Sequence, residues 1–186
     1  MEIAFQLNII RETLIKVFSE TQNWFTKNDS LLKFKPINEG WTILEILEHI
    51  YLTNFFLLKL IEKGYQKSLK NLDNLNLETE LVGYNFLNNQ LENIGEHQSF
   101  IWIRPEHMIP KGEISFEEIS INLDLQLRQC LEYLDNLPNG EGVLYKTTMT
   151  VNGLGKIDVY QYLYFLAMHI QRHLSQMRKN EENYLL

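Results

Sequence analysis

Cysteine is nearly missing from this sequence: Cys130 stands alone. One thiol excludes an intrachain disulfide and suits a reducing compartment. Positive charge is also short, with 17 Lys and Arg against 24 Asp and Glu and a formal net charge of -7. Such a chain lacks the electrostatic footprint that phosphate backbones require, so nucleic acid is not an expected partner. Long hydrophobic runs are missing too. The longest apolar stretch, IYLTNFFLLKLIEKG, is broken by Asn54 and Lys59 and is too short to cross a bilayer. The N-terminal MEIAFQLNIIRETLIKVF has no basic segment ahead of an apolar run, and Glu2, Gln6 and Asn8 interrupt it, so it does not read as a secretory signal. The expected location is the cytoplasm, with no membrane partner. No repeat, low-complexity tract or composition break divides the chain, and residues 1–186 are expected to form a single domain around one core.

What is present is helical periodicity. Four segments place apolar residues on one side at helical spacing. The first runs from about Ile3 to Phe25 and aligns Leu7, Ile10, Leu14, Val17 and Phe18. The second runs from about Thr42 to Glu62, opened by a Thr42/Glu45 capping box and stopped near Gly64. The third spans about Phe116 to Leu137, with Ser115 and Glu118 as a second capping box and Pro138 just past its end. The fourth spans about Val159 to Lys179, with Asp158 as N-cap and Gln161 at the box position. Arg172, Arg178 and Lys179 near its end suit the negative pole of the helix dipole.

Two connections are long. Residues 64–112 are rich in Asn and Leu, close with Pro105, Pro110 and Gly112, and predict a shorter helix around Glu78 to Glu92. A link of this length lets the second and third helices run parallel, because the chain must cross the whole bundle between them. In the other connection, Val143 to Val151 is rich in Thr and β-branched residues and Asn152-Gly153 follows as a turn signal, which predicts a short β-hairpin. The expected fold is all-α, a four-helix bundle with a long crossover between helices two and three and a short hairpin before helix four.

The chemistry concentrates in histidine. His169 and His173 lie four residues apart in YLYFLAMHIQRHLSQMRK, which sets both imidazoles on one helix face, one turn apart. Tyr162, Leu166 and Gln176 share that face, so the pair sits within an apolar stripe. Taken alone, the pair fits a packed or hydrogen-bonded couple at least as well as a metal site. His49, the only histidine of the second helix, lies in GWTILEILEHIYLTNFF and shares a side with Ile46, Thr53, Phe56 and Leu60. Alone it reads as a hydrogen-bonded core histidine. Set against His169 and His173, it completes three imidazole ligands from two helices. Three neutral imidazoles suit zinc, nickel, iron or copper better than magnesium or calcium. Three protein ligands with a fourth position open is the pattern of a catalytic zinc site.

The segment WTILEILEH, residues 41–49, resembles the second-helix signature of the DinB-like, YfiT-type metalloenzyme superfamily. GKIDVYQYLYFLAMHIQRHLSQ, residues 155–176, resembles its last helix, with an H-x-x-x-H pair followed by glutamine, and PKGEISFEEIS fits the start of its third. The resemblance spans most of the chain. It implies an up-down-down-up bundle and a divalent metal held by His49, His169 and His173. Zinc or nickel is the first expectation, with iron, manganese or copper as further candidates. Members include thiol-dependent transferases using bacillithiol, mycothiol or glutathione, and metal-dependent hydrolases. A homodimer is a further expectation from the resemblance. Residues 64–112 match it least and are expected to shape a substrate pocket.

Other polar residues have simpler roles available. Glu45 can orient His49 from one turn away, but its capping role explains it better. Tyr162 is the one tyrosine of the aromatic run on the histidine face, and Tyr162 and Gln176 are the candidate pocket residues. Gln176 is equally well read as the polar end of the stripe. His97 and His107 read as solvated loop histidines, and Cys130 as a small buried hydrophobe. Trp41 is expected to anchor the start of the second helix.

A metal at this site lowers the pKa of bound water from 15.7 to about 7 and deprotonates a bound thiol. The resemblance, together with the lack of a second carboxylate base in these motifs, makes the leading expectation a detoxification-type transfer of a low-molecular-weight thiol to an electrophilic small molecule. The alternatives are a metal-dependent hydrolase and a non-catalytic helical module whose metal is structural.

Overall fold

The computed structural model describes residues 3–36, 40–96, 99 and 105–186. Among the described residues the elements follow in the order α1 (Ile3–Asn23), α2 (Asp29–Leu32), α3 (Ile43–Asn71), α4 (Leu77–Val82), α5 (Asn88–Gly95), α6 (Phe116–Asn136), β1 (Lys146–Met149), β2 (Gly155–Asp158) and α7 (Val159–Tyr184). The fold is all-α apart from one two-stranded sheet. The four long helices close into a ring. α7 packs on α1 and α3, and α6 packs on the same two from the other side.

Contacts between side chains set the directions. Gln22 of α1 bonds the Ser120 carbonyl while Arg11 meets Asp135, so α1 and α6 run antiparallel. Gln126 bonds the Tyr51 carbonyl and Tyr133 bonds Glu62, so α3 and α6 run parallel. Glu20 pairs with Arg178 and Lys27 with Glu181, which puts the ends of α1 and α7 together. The chain between α3 and α6 therefore returns across the bundle, and α5 within it packs against α7.

α7 is buried continuously from Val159 to Ile170. A helix is apolar all round when neighbours cover every side, and here α1, α3, α5 and β2 all touch it. That explains the run YLYFLAM. β1 and β2 pair antiparallel with Lys146 opposite Asp158 and Met149 opposite Gly155. The turn between them is made possible by Asn152 and Gly153, at φ +48° and +65°. The hairpin delivers the chain directly into the Asp158 N-cap, whose box with Gln161 is complete.

The structure corrects several expectations. Gly64 does not end the second helix; α3 continues to Asn71. Its role is contact: a Cβ there would lie 3.0 Å from Cγ2 of Val159, so glycine lets the start of α7 approach α3. The shorter helix expected over 78–92 is two helices, α4 and α5, separated at Gly83. Ser115 accepts from the Glu118 N–H at 3.2 Å, but the reciprocal half of that capping box is not made. α7 runs five residues past Lys179, and its last turn holds no basic residue. Arg178 serves Glu20 and Arg172 the Glu96 carbonyl, not the helix dipole. Among the described residues, no helix is long and apolar enough to cross a membrane.

Candidate metal centre

The site begins with how α3 is entered. Thr42 Oγ1 accepts from the Glu45 N–H at 3.2 Å, and the Thr42 N–H donates to Glu45 Oε2 at 2.7 Å. Two otherwise orphaned helix donors are thereby satisfied. Just before the cap, the Trp41 carbonyl accepts from Asn180 Nδ2 of α7 at 2.8 Å. The first turns of α3 are thus fixed beside the later turns of α7. His49, on the second turn of α3, faces His169 and His173.

The three imidazoles are 4%, 2% and 7% exposed, in the order His49, His169, His173. Each offers a ring nitrogen, and these nitrogens lie within 4.8 Å of one another. His49 Nδ1 is 2.7 Å from the Met108 carbonyl oxygen. His173 Nδ1 is 3.0 Å from Gln176 Oε1. Both acceptors lack a hydrogen to give, so each Nδ1 must carry the proton and donate. That fixes the tautomer and leaves an Nε2 lone pair on both rings. His173 Nε2 and His169 Nε2 are 3.1 Å apart.

The donor set fits a divalent ion. Two nitrogens sharing a tetrahedral zinc at about 2.0–2.1 Å stand about 3.3 Å apart, close to the 3.1 Å observed here. Ligation requires neutral imidazole. Burial pushes the His169 pKa well below its usual range, and neighbouring His173 and His49 push it the same way. Unpaired imidazolium would cost far more in this enclosure than neutral imidazole. Lone pairs converging from buried rings are what a cation would satisfy.

Glu45 is occupied by its cap and by Lys35 at 3.0 Å, so it does not orient His49. Burial alone would raise its pKa, but the Thr42 N–H and the Lys35 ammonium outweigh it and the net shift is downward. Gln176 meets His173 directly. Tyr162 does not join the cluster: two turns before His169, its hydroxyl donates to the Thr148 carbonyl of β1 at 3.2 Å. Trp41 packs its ring against that of His49, 4.8 Å between centroids and tilted by 52°, as well as anchoring the helix. His107 is exposed, its ring 4.1 Å from Phe56, and it is not among the grouped ligands. His97 lies outside the described residues. Cys130 is fully buried, and burial raises its thiol pKa, in keeping with a small core residue.

Sequence reasoning missed two supports. One is the Met108 carbonyl. The other is Glu48, only 4% exposed, whose Oε1 and Oε2 accept from the backbone N–H groups of Lys111 and Gly112 at 3.0 and 2.9 Å. The available signal was a carboxylate set between Leu47 and His49 on the inward side of α3, where an unpaired charge is not tolerated.

The model of the DinB superfamily matches residues 6–177. The match takes in both helices that carry the histidines, and the chain belongs to this metal-binding superfamily. No curated protein and no solved structure matches the chain.

Proposed function

We propose that this DinB-superfamily protein is a divalent-metal-dependent transferase that joins a low-molecular-weight thiol to an electrophilic small molecule. His49, His169 and His173 would hold the ion, zinc or nickel first. When bound, the ion supplies Lewis acidity that ionises a thiol at neutral pH. The reaction forms a sulfur–carbon bond, the leaving group departs with its electron pair, and the thiol proton passes to solvent.

The residues around the histidines support this reading over hydrolysis. A hydrolase working through water commonly needs a positioned base. The two carboxylates on the first turns of α3 are both committed, Glu45 to its cap and Lys35, and Glu48 to two backbone N–H groups. Among the described residues, the metal-capable group contains histidines alone. A thiol ionised by the ion needs no further base. The chain's own work is therefore to hold three neutral imidazoles. Met108 and Gln176 fix the tautomers of two of them, and burial disfavours protonation of the third, His169. In this reading a pocket over the site is shaped in part by residues 64–112.

The test uses protein purified without a histidine tag and loaded with zinc or nickel. Turnover of 1-chloro-2,4-dinitrobenzene and of monobromobimane is measured with glutathione, cysteine and bacillithiol as donors. A rate above the uncatalysed one that a chelator abolishes and His49→Ala lacks is expected. Metal-loaded protein with no rate for any thiol refutes the transferase. Chelator-sensitive hydrolysis of an ester or amide panel without thiol would replace it with the hydrolase reading.

A further inference from the structure

The segment from Pro105 to Gly112 lies against α3 and is held there by three consecutive kinds of contact. The His107 ring packs on Phe56 at 4.1 Å. The Met108 carbonyl accepts a hydrogen bond from His49 Nδ1 at 2.7 Å. Lys111 and Gly112 turn their N–H groups onto the two oxygens of Glu48 at 3.0 and 2.9 Å. Gly112 stands at φ +70°, a left-handed conformation that a side chain rarely adopts. That turn aims two successive N–H groups at one buried carboxylate.

We infer that Glu48 is a positioning residue for the metal centre: by clamping Lys111 and Gly112 it holds the Met108 carbonyl against His49 and so fixes His49 as an Nε2 ligand. The inference rests on the metal-site reading proposed above. Glu48 and His49 are adjacent on α3, so a single stretch of backbone places both ends of the clamp. A carboxylate accepting two N–H bonds is a strong anchor, about twice as strong per bond as a neutral one. Without it, the segment keeps the His107–Phe56 contact on one side of Met108 but loses the clamp at Lys111 and Gly112 on the other. The Met108 carbonyl is then held less firmly against His49 Nδ1, and the bond that favours an Nε2 lone pair weakens. The Met108 carbonyl is a support one bond behind His49, of a kind worth about 10- to 100-fold in metal affinity, and Glu48 acts through it.

Linkage makes the coupling run both ways. If the docked segment tightens the metal, the metal must tighten the docked segment by the same factor. Binding of an ion at Nε2 selects the tautomer that donates to Met108, and the clamp then opens less often.

The experiment uses the full chain and zinc as probe. Zinc affinity is measured by competition with a fluorescent chelator for wild type, Glu48→Ala, Glu48→Gln and Gly112→Ala. Thermal unfolding without metal reports whether each variant folds. Gly112→Ala leaves Glu48 in place and meets no atom within 4 Å, so it perturbs the turn through backbone conformation alone. Zinc dissociation constants are expected to rise about 10- to 100-fold in Glu48→Ala, with smaller rises in Glu48→Gln and Gly112→Ala. In wild type, zinc is expected to slow hydrogen exchange of the Lys111 and Gly112 amides by a comparable factor. A merely structural role would lower thermal stability without either effect. Folded variants that bind zinc within twofold of wild type overturn the inference and leave the metal site standing. Wild type that binds no zinc overturns the metal-site reading itself.

Discussion

Replacing Gln176 offers a graded test of the metal centre, because it touches His173 without being a ligand. Its Oε1 lies 3.0 Å from His173 Nδ1. Gln176→Leu removes the acceptor at similar volume. His173 can then place its proton on Nε2, the atom 3.1 Å from His169 Nε2, and that tautomer cannot ligate through Nε2. Loss of such a support costs about 10- to 100-fold in metal affinity, or about 1.4–2.7 kcal/mol. Gln176→Glu should move affinity the other way, since a carboxylate acceptor strengthens the bond and raises the basicity of the ring. Gln176 is only half-buried, and a neutral hydrogen bond contributes about 0.5–1.5 kcal/mol net to folding. The metal-free Tm should therefore fall by no more than about 2–6 °C in the Leu variant. Zinc titration against a competing chelator at pH 7.5 should rank the proteins Glu, Gln, Leu from tightest to weakest. Equal affinities within twofold, or the reverse order, would refute the claim that this bond sets the tautomer of His173.

Removing the ion should lower stability by mass action. Zinc at 100 times its dissociation constant adds about 2.7 kcal/mol, so Tm in zinc should exceed Tm in chelator by about 5–11 °C, and the difference should vanish in His173→Ala. Thr42→Ala deletes the cap that fixes the entry to α3 and should cost about 1 kcal/mol in urea unfolding. Gly142→Ala would put a Cβ 2.7 Å from the Tyr160 ring. That ring is pinned by bonds from the Gly142 N–H and to the Leu137 carbonyl, so a loss of about 1–3 kcal/mol or more is expected, and unchanged stability would show that the ring can yield. Burial pushes the Asp158 carboxyl up to about 6 from 3.8. Between those values the folded chain holds a proton that the unfolded chain has released, so this group's contribution falls as pH rises through that window, by about 3 kcal/mol. Asp158→Asn keeps an N-cap acceptor without the charge. Its stability relative to wild type should therefore improve by about that amount from pH 4 to pH 7, and a pH-independent difference would contradict the burial argument.

The elements that could be read from the sequence were those whose information is local. A capping box at Thr42 or Asp158 is complete within four residues, and both are made. The hairpin was legible because Asn152-Gly153 supplies the backbone conformations its turn needs. Gly64 was misread for the opposite reason. Its meaning lies in Val159, which is 95 positions away in sequence and touches it only once the helices pack. A glycine inside a helix costs about 1 kcal/mol relative to alanine, so the local signal points to a helix end while the tertiary contact requires a continuous helix. The Ser115 box failed at its second half. Its first bond needs only a serine and an N–H in place, while the return bond also needs the Glu118 side chain to turn back.

The same distinction governs the site. The spacing of His169 and His173 is a property of one helix, and it placed the two rings together before any fold was known. His49 needed the packing of α3 against α7, which its apolar flank indicated in general but not in register. What the sequence did not expose is the support behind the ligands. A backbone carbonyl such as that of Met108 has no residue signature, because every residue carries one. Glu48 could be singled out only as a charge on a face where charges are rarely left unpaired. Its partners are backbone N–H groups 63 and 64 residues away. A candidate ligand set can thus be read from three histidines, while the proposed supports behind it are peptide groups. Families sharing the histidines can therefore differ in affinity through loops that leave no motif, and the clamp at Glu48 is where this chain exposes that dependence to mutation.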